Sequence, residues 1–160
     1  MNWRPSDYRC AIEPLWIDYN GHLRDAYYTL VFSQAIDALM REAGLDDDYR
    51  TRSGCTLFTL ETHVHYLREV KSSDSISVRA RALGVDTKRL HLELALHCPR
   101  LAEPTALGEF MLLHVLQQQP APKSAAFPPD VLQRLADWEA ADRLLPAPAL
   151  GSRRMELPRR

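Results

Sequence analysis

The chain has 160 residues, 46% hydrophobic and 26% charged, with a formal net charge of −1 at pH 7. That length suits one domain with a real core, and that balance excludes a protein-wide field for nucleic acid or an anionic membrane. No apolar run approaches a membrane span, M-N-W-R-P-S-D carries no signal-peptide core, and three widely spaced cysteines (Cys10, Cys55, Cys98) read as reduced thiols of a cytoplasmic protein.

The first expected strand is Tyr8–Leu15, where Pro14 marks an edge or a bulge. Asp25–Ala43 is the strongest element, a helix with Asp25 as N-cap and Gly44 as its left-handed stop. Its polar residues Thr29, Ser33, Asp37 and Arg41 recur at spacing four. They form one narrow stripe on an apolar cylinder, which predicts a helix covered on most sides. D-D-D-Y-R-T-R-S-G then reads as a polar loop.

Four strand-like runs follow: Thr56–Tyr66, Ser75–Gly84, Arg89–His97 and Thr105–Gln117. In the second, Ile76, Val78, Ala80 and Ala82 alternate with polar residues, and in the third Leu90, Leu92, Leu94 and Leu96 do so. The turns K-S-S-D, V-D-T-K and C-P-R-L-A-E-P predict that successive strands pair as antiparallel hairpins. After Pro120 a proline-rich connector leads to a short helix from Pro129, with Val131, Leu132, Leu135 and Trp138 at helical spacing. From Leu145 on, a Pro/Arg-rich stretch reads as a mobile tail. A strand, a long apolar helix and four antiparallel strands predict an α+β fold, with the sheet wrapped around the helix.

The stretch W-I-D-Y-N-G-H-L-R-D-A-Y-Y sets Asp18 and His22 around a glycine turn, directly before the helix. A carboxylate beside the open N–H groups of a helix start can attack a carbonyl that those groups hold. Spacing alone equally fits an Asp that closes its own turn.

The turn and the element order resemble the hotdog-fold acyl-CoA thioesterases of the 4-hydroxybenzoyl-CoA thioesterase type, over about Tyr8 to Gln118. Their pattern Asp-x-Asp-x-x-Gly-His-(Val/Ile/Leu)-Asn-Asn-x-x-Tyr is met by Asp18, Gly21, His22, Leu23 and Tyr28. Trp16 stands in place of the first Asp, and Arg24-Asp25 in place of the Asn pair. Tyr66, Leu67, Asp74, Ile76 and Val78 match a second family segment. W-I-D-Y-N-G-H-L-R-D-A-Y-Y-T-L-V-F and E-T-H-V-H-Y-L-R-E-V-K are also similar to the betainyl-CoA thioesterases of carnitine degradation.

The resemblance implies a hotdog thioesterase domain over residues 1–119, followed by connector, short helix and tail over 120–160. It implies Asp18 as nucleophile or general base, the backbone N–H of Asp25 as oxyanion donor, and His22 as orienting residue. Coenzyme A would be part of the substrate, with no separate cofactor. Glu61, His63 and His65 share a strand face by period two. Glu61 can act as a second active-site carboxylate and His63 can line the acyl pocket, or all three can form a polar outer face. No metal is expected, since no third histidine stands at a supporting spacing.

Trp16, Tyr19, Tyr27, Tyr28 and Tyr66 gather around the motif. They can pack in the core, or offer ring faces to a trimethylammonium group, with Trp16 foremost. Arg68, Lys71, Lys88 and Arg89 lie at strand ends or turns and can meet coenzyme A phosphates. A homodimer or dimer of dimers is expected, because the fold leaves a sheet edge open. Two other readings compete: a non-catalytic acyl-CoA-binding module and a hotdog enoyl-CoA hydratase. The hydratase pattern Asp-x-Asn-Pro-x-His places histidine five positions after the acid, whereas His22 follows Asp18 by four.

Overall fold

A computed structural model describes residues 3–118 and 120–147. The elements in order are β1 (Tyr8–Ala11), a 3-10 turn (Pro14–Trp16), α1 (Asp25–Ala43), α2 (Asp47–Ser53), β2 (Cys55–Tyr66), β3 (Ser75–Val85), β4 (Arg89–His97), β5 (Ala106–Leu116), β6 (Lys123–Ser124) and α3 (Pro129–Asp142). The first strand is shorter than expected, because Pro14 starts the 3-10 turn.

Helix α1 has its expected bounds and ends at Gly44, whose φ is 94°. Its N-cap is Arg24 and not Asp25, which occupies the first helical position. The Asp25 carboxylate accepts the Ala26 N–H at 2.8 Å. The acidic run expected as a loop is helix α2. Asp46 caps it by accepting the Tyr49 N–H at 2.8 Å, and Gly54 closes it in the left-handed region. Acids in the first turn and arginines in the last complement the helix dipole, which a reading of polarity alone misses.

The sheet is antiparallel, in the order β1-β3-β4-β5-β2 with β6 beside β5. β3–β4 and β4–β5 are the expected neighbours, but β2 pairs β5 and not β3. The connection from β2 to β3 is drawn away to the 16–24 loop. Leu23 donates to the Val70 carbonyl at 2.7 Å, and His22 bridges Lys71.

One face of the sheet curls over α1. Phe32 of α1 meets Phe110 of β5 edge-on, 5.7 Å between centroids. The helix buries Tyr28, Val31, Phe32, Ala35, Ile36, Leu39, Met40 and Ala43 on one side. Thr29, Leu30, Ser33, Asp37 and Arg41 stay exposed, so the helix is covered on one side rather than most sides. Thr29, Ser33 and Asp37 border a groove of about 280 Å³ against Leu57, Thr59 and Thr62 of β2. A bulge between Thr59 and Glu61 shifts the pairing by one residue. It turns Thr62 and Val64 toward α1 and puts Glu61, His63 and His65 on the far face.

The C-terminal segment packs onto the same unit. Trp138 of α3 is buried and meets Trp3 edge-on, and the Asp142 carboxylate accepts the Ala82 N–H at 3.0 Å. Arg81 donates to the Leu145 and Pro146 carbonyls. The rest of the expected tail, from position 148, lies outside the described residues. No described helix is long and apolar enough to cross a membrane. Cys10, Cys55 and Cys98 are free thiols, and burial pushes Cys98 up to about 11, the sign of an inert packed thiol.

Candidate active site

The 16–24 loop is zipped at its base. Ile17 bridges Leu23, and Arg24 donates to the Trp16 carbonyl at 2.9 Å. Gly21, with φ of 80°, makes the reversal. Asp18 closes it from within, since its Oδ1 accepts the Asn20 N–H at 2.8 Å and the His22 N–H at 3.1 Å. The His22 bond is the leading cause that holds this carboxyl below the usual aspartate range, with Asn20 and the nearby His22 and Arg24 charges adding to it. Among the described residues Oδ2 accepts no hydrogen bond, so Asp18 is ionised with one oxygen anchored and one available.

The loop delivers the chain straight into α1, whose first turn no side chain caps from the N-cap position. Ala26 N–H is occupied by the Asp25 carboxylate, which leaves the Asp25 N–H as the helix-start donor nearest the loop. Beside it lies a cleft of about 280 Å³ walled by the α1 start (His22, Leu23, Asp25, Tyr28) and by the end of β2 and its continuation (Tyr66, Leu67, Arg68, Glu69). Burial raises the Tyr28 hydroxyl to about 12, so it stays protonated. It approaches the Arg68 carbonyl at 3.5 Å, and the Tyr66 hydroxyl donates to the Asp25 carbonyl at 3.4 Å. The His22 ring nitrogen sits 3.1 Å from a Glu69 oxygen.

The structure therefore gathers His22, Asp25 and Arg68 on one cleft, with Asp18 in the adjoining loop and Lys71 in a neighbouring groove. Trp16 is only 6% exposed and stacks on Tyr27 at 5.6 Å, which covers one face of each ring. Tyr19, 95% exposed, stands at the loop tip. Neither Trp16, Tyr19 nor Tyr27 lines the cleft. Glu61 and His63 lie on the opposite sheet face. There His63 contacts Glu61 at 3.0 Å and Glu109 at 3.7 Å, and Glu109 in turn meets His91 at 2.8 Å. Among the described residues no cluster of three or more His, Cys, Asp or Glu is arranged to hold a metal ion.

Sequence reasoning did not single out Glu69 or Arg100. Glu69 is adjacent to Arg68 in L-R-E-V-K, a run read for its cations and its family likeness but not for its acid. Arg100 sits in a turn expected only to separate strands, yet it grips Asp74 at 2.8 and 3.0 Å and borders the second groove.

A curled antiparallel sheet over one long helix, with an acid-histidine turn feeding the helix start, is the hotdog fold. Residues 12–135 match the Thioesterase-like superfamily, and the chain belongs to it. It is 48% identical over 151 residues to the betainyl-CoA thioesterase of Pseudomonas aeruginosa, covering 94% of each chain. It is 42% identical over 127 residues to the L-carnitine dehydrogenase/betainyl-CoA thioesterase of Agrobacterium fabrum, spanning 79% of this chain and 25% of that longer protein. Among solved structures, a Pseudomonas putida KT2440 protein described as a candidate thioesterase superposes with TM-score 0.79 at 41% identity, over 98% of this chain and 99% of that one. A Staphylococcus aureus protein in complex with CoA gives TM-score 0.83 at 28% identity, over 95% and 94%.

Proposed function

We propose that this protein hydrolyses the thioester of betainyl-CoA, in carnitine catabolism, with Asp18 as the attacking carboxylate. The substrate is drawn from the relatives. The chemistry rests on one observation: Asp18 is an ionised carboxylate with a free oxygen, in a loop zipped to the uncapped start of α1. With Oδ1 held by the Asn20 and His22 N–H groups, the other oxygen is taken as the nucleophile. Asp18 Oδ2 adds to the carbonyl carbon while the Asp25 N–H donates to the oxyanion. The carbon–sulfur bond breaks, CoA leaves as thiolate and takes a proton from solvent. Water then hydrolyses the Asp18 acyl anhydride, releasing the acid and restoring the carboxylate. His22 orients the loop through its backbone N–H and its contact with Glu69.

Arg68 at the junction and Lys71 in the outer groove would meet the CoA phosphates, a role their position along the groove supports. The β2 edge carries exposed Leu60 and Tyr66, which supports pairing of copies into a homodimer or dimer of dimers. Free thiols fit a cytoplasmic setting.

The test is Asp18→Asn with betainyl-CoA, read by thiol release. The amide oxygen still accepts from Asn20 and His22, so the loop survives, but attack is lost. The expected fall in kcat is at least roughly 10³-fold, about 4 kcal/mol. An unchanged rate removes Asp18 from the mechanism. A wild-type protein that binds acyl-CoA and releases no thiol would instead favour the non-catalytic module.

A further inference from the structure

The cleft at the α1 start does not end at Arg68 and Glu69. These two residues and Leu67 also wall a second groove of about 360 Å³, which continues to Lys71, Arg100 and Leu101. The two spaces form one trough, and its charge is segregated along its length. The outer groove carries Lys71 and Arg100. The inner cleft carries Asp25 and, apart from the shared Arg68 at the junction, no lysine or arginine; its His22 is turned to Glu69 at 3.1 Å. At the junction Glu69 leans inward to that histidine, while Arg68 reaches toward Glu103 at 3.9 Å.

Resting on the thioesterase reading above, the geometry points to Asp25 as the residue that selects a cationic acyl group, specifically a quaternary ammonium, at the inner end of this trough. Three observations carry it. Among the described residues the Asp25 carboxylate makes no ion pair; it accepts the Ala26 N–H at 2.8 Å. The cleft beside it is aromatic. Tyr66 packs edge-on to Tyr28 at 5.2 Å and 82°, is half-exposed, and is tied by its hydroxyl to the Asp25 backbone. The remaining lining includes Leu23 and Leu67.

A methylated ammonium cannot donate hydrogen bonds. It is held by ring faces, apolar contact and nearby unpaired negative charge, which is the inventory here. A primary ammonium would need acceptors aimed at each of its N–H groups. In a betainyl thioester a single methylene separates the carbonyl carbon from the quaternary nitrogen. A carbonyl held by the Asp25 N–H therefore brings that nitrogen within reach of the carboxylate of the same residue. The polyanionic end of the substrate then runs outward along Arg68, Lys71 and Arg100.

The experiment compares kcat/KM for betainyl-CoA with that for 3,3-dimethylbutanoyl-CoA, in which carbon replaces the quaternary nitrogen and the shape is kept. The ratio of the two, charged over neutral, is the readout. Asp25 is exposed, so water screens it and the expected effect is moderate. Asp25→Asn lowers the ratio by about tenfold, or about 1.4 kcal/mol. Asp25→Ser, which also suits a helix start, lowers it to a similar extent and carries the test if Asp25→Asn does not fold. A folded variant at position 25 with the wild-type ratio overturns the assignment while leaving the hydrolase reading intact. A wild-type protein that hydrolyses neither ester overturns both.

Discussion

Gly108 of β5 sits under Phe32 of α1, and replacing it with alanine tests how tightly the fold sets the helix. Its backbone is ordinary, so conformational freedom is not the issue. A Cβ there would stand 2.6 Å from Cε2 of Phe110, and 3.0 and 3.1 Å from Cε2 and Cδ2 of Phe32. Real Cβ atoms do not approach that closely. The two rings cannot easily yield, because Phe32 is 0% and Phe110 3% exposed and each packs on the other. Overpacking of this kind costs about 1–3 kcal/mol. At roughly 2–4 °C per kcal/mol for a chain of this size, Gly108→Ala loses roughly 2–12 °C in Tm. Thermal unfolding followed by far-ultraviolet circular dichroism measures it, at matched protein concentration so that any association cancels. Part of the strain is relieved by lifting α1, which moves the Asp25 N–H away from Asp18, so thiol release falls with Tm. Adding Phe32→Leu removes the ring atoms at 3.0 and 3.1 Å and gives the Phe110 ring room to shift, which recovers part of the loss, a coupling that distant sites would not show. A Gly108→Ala protein as stable as the parent would refute the packing argument and the helix placement built on it.

The Asp18 carboxyl is held below its ordinary value, so its charged form is favoured in the fold and persists until pH falls below 3.8. The stabilisation it gives the turn is present above the unfolded value and is lost as pH drops through the lower folded one. The kcat/KM profile should accordingly show no acid limb until that range. A limb centred between about pH 6 and 7, where an imidazole titrates, would assign the chemistry to another group. Arg68→Ala and Lys71→Ala each raise KM for CoA esters roughly 3–10-fold and flatten its dependence on salt. The increase shrinks for the corresponding pantetheine thioester, which lacks the nucleotide. An equal effect on both esters would remove these cations from the phosphate end.

Sequence and structure agree where the determinants are local. Helix α1 was legible because an apolar run of sufficient length stops at a glycine, and β4 because its four leucines fall on one face. The acid-histidine turn was legible because the hydrogen bonds that close it lie within five residues, Asp18 to His22. Helix α2 was missed because composition suggests a loop there. Its stability comes from where the acids sit relative to the first turn, not from any apolar periodicity. Strand order was missed for a different reason. β2 and β5 meet across about forty residues of intervening chain, and nothing in either strand names the other.

The same distinction divides the site. One wall of the cleft, His22 to Tyr28, is contiguous with the motif and was read with it. The other wall, Tyr66 to Glu69, reaches it only because the β2–β3 connection abandons the expected hairpin and binds the turn through Val70 and Lys71. The bulge at Thr59–Glu61 acts through the same strand. By shifting the alternation once, it sends Glu61 and His63 to the far face, where they join Glu109 and His91, and leaves Tyr66 on the α1 side to close the cleft. Period two identified the shared face of Glu61, His63 and His65, but not which way that face points. One inserted residue decides that, and with it whether the second acid near Asp25 is Glu61 or Glu69.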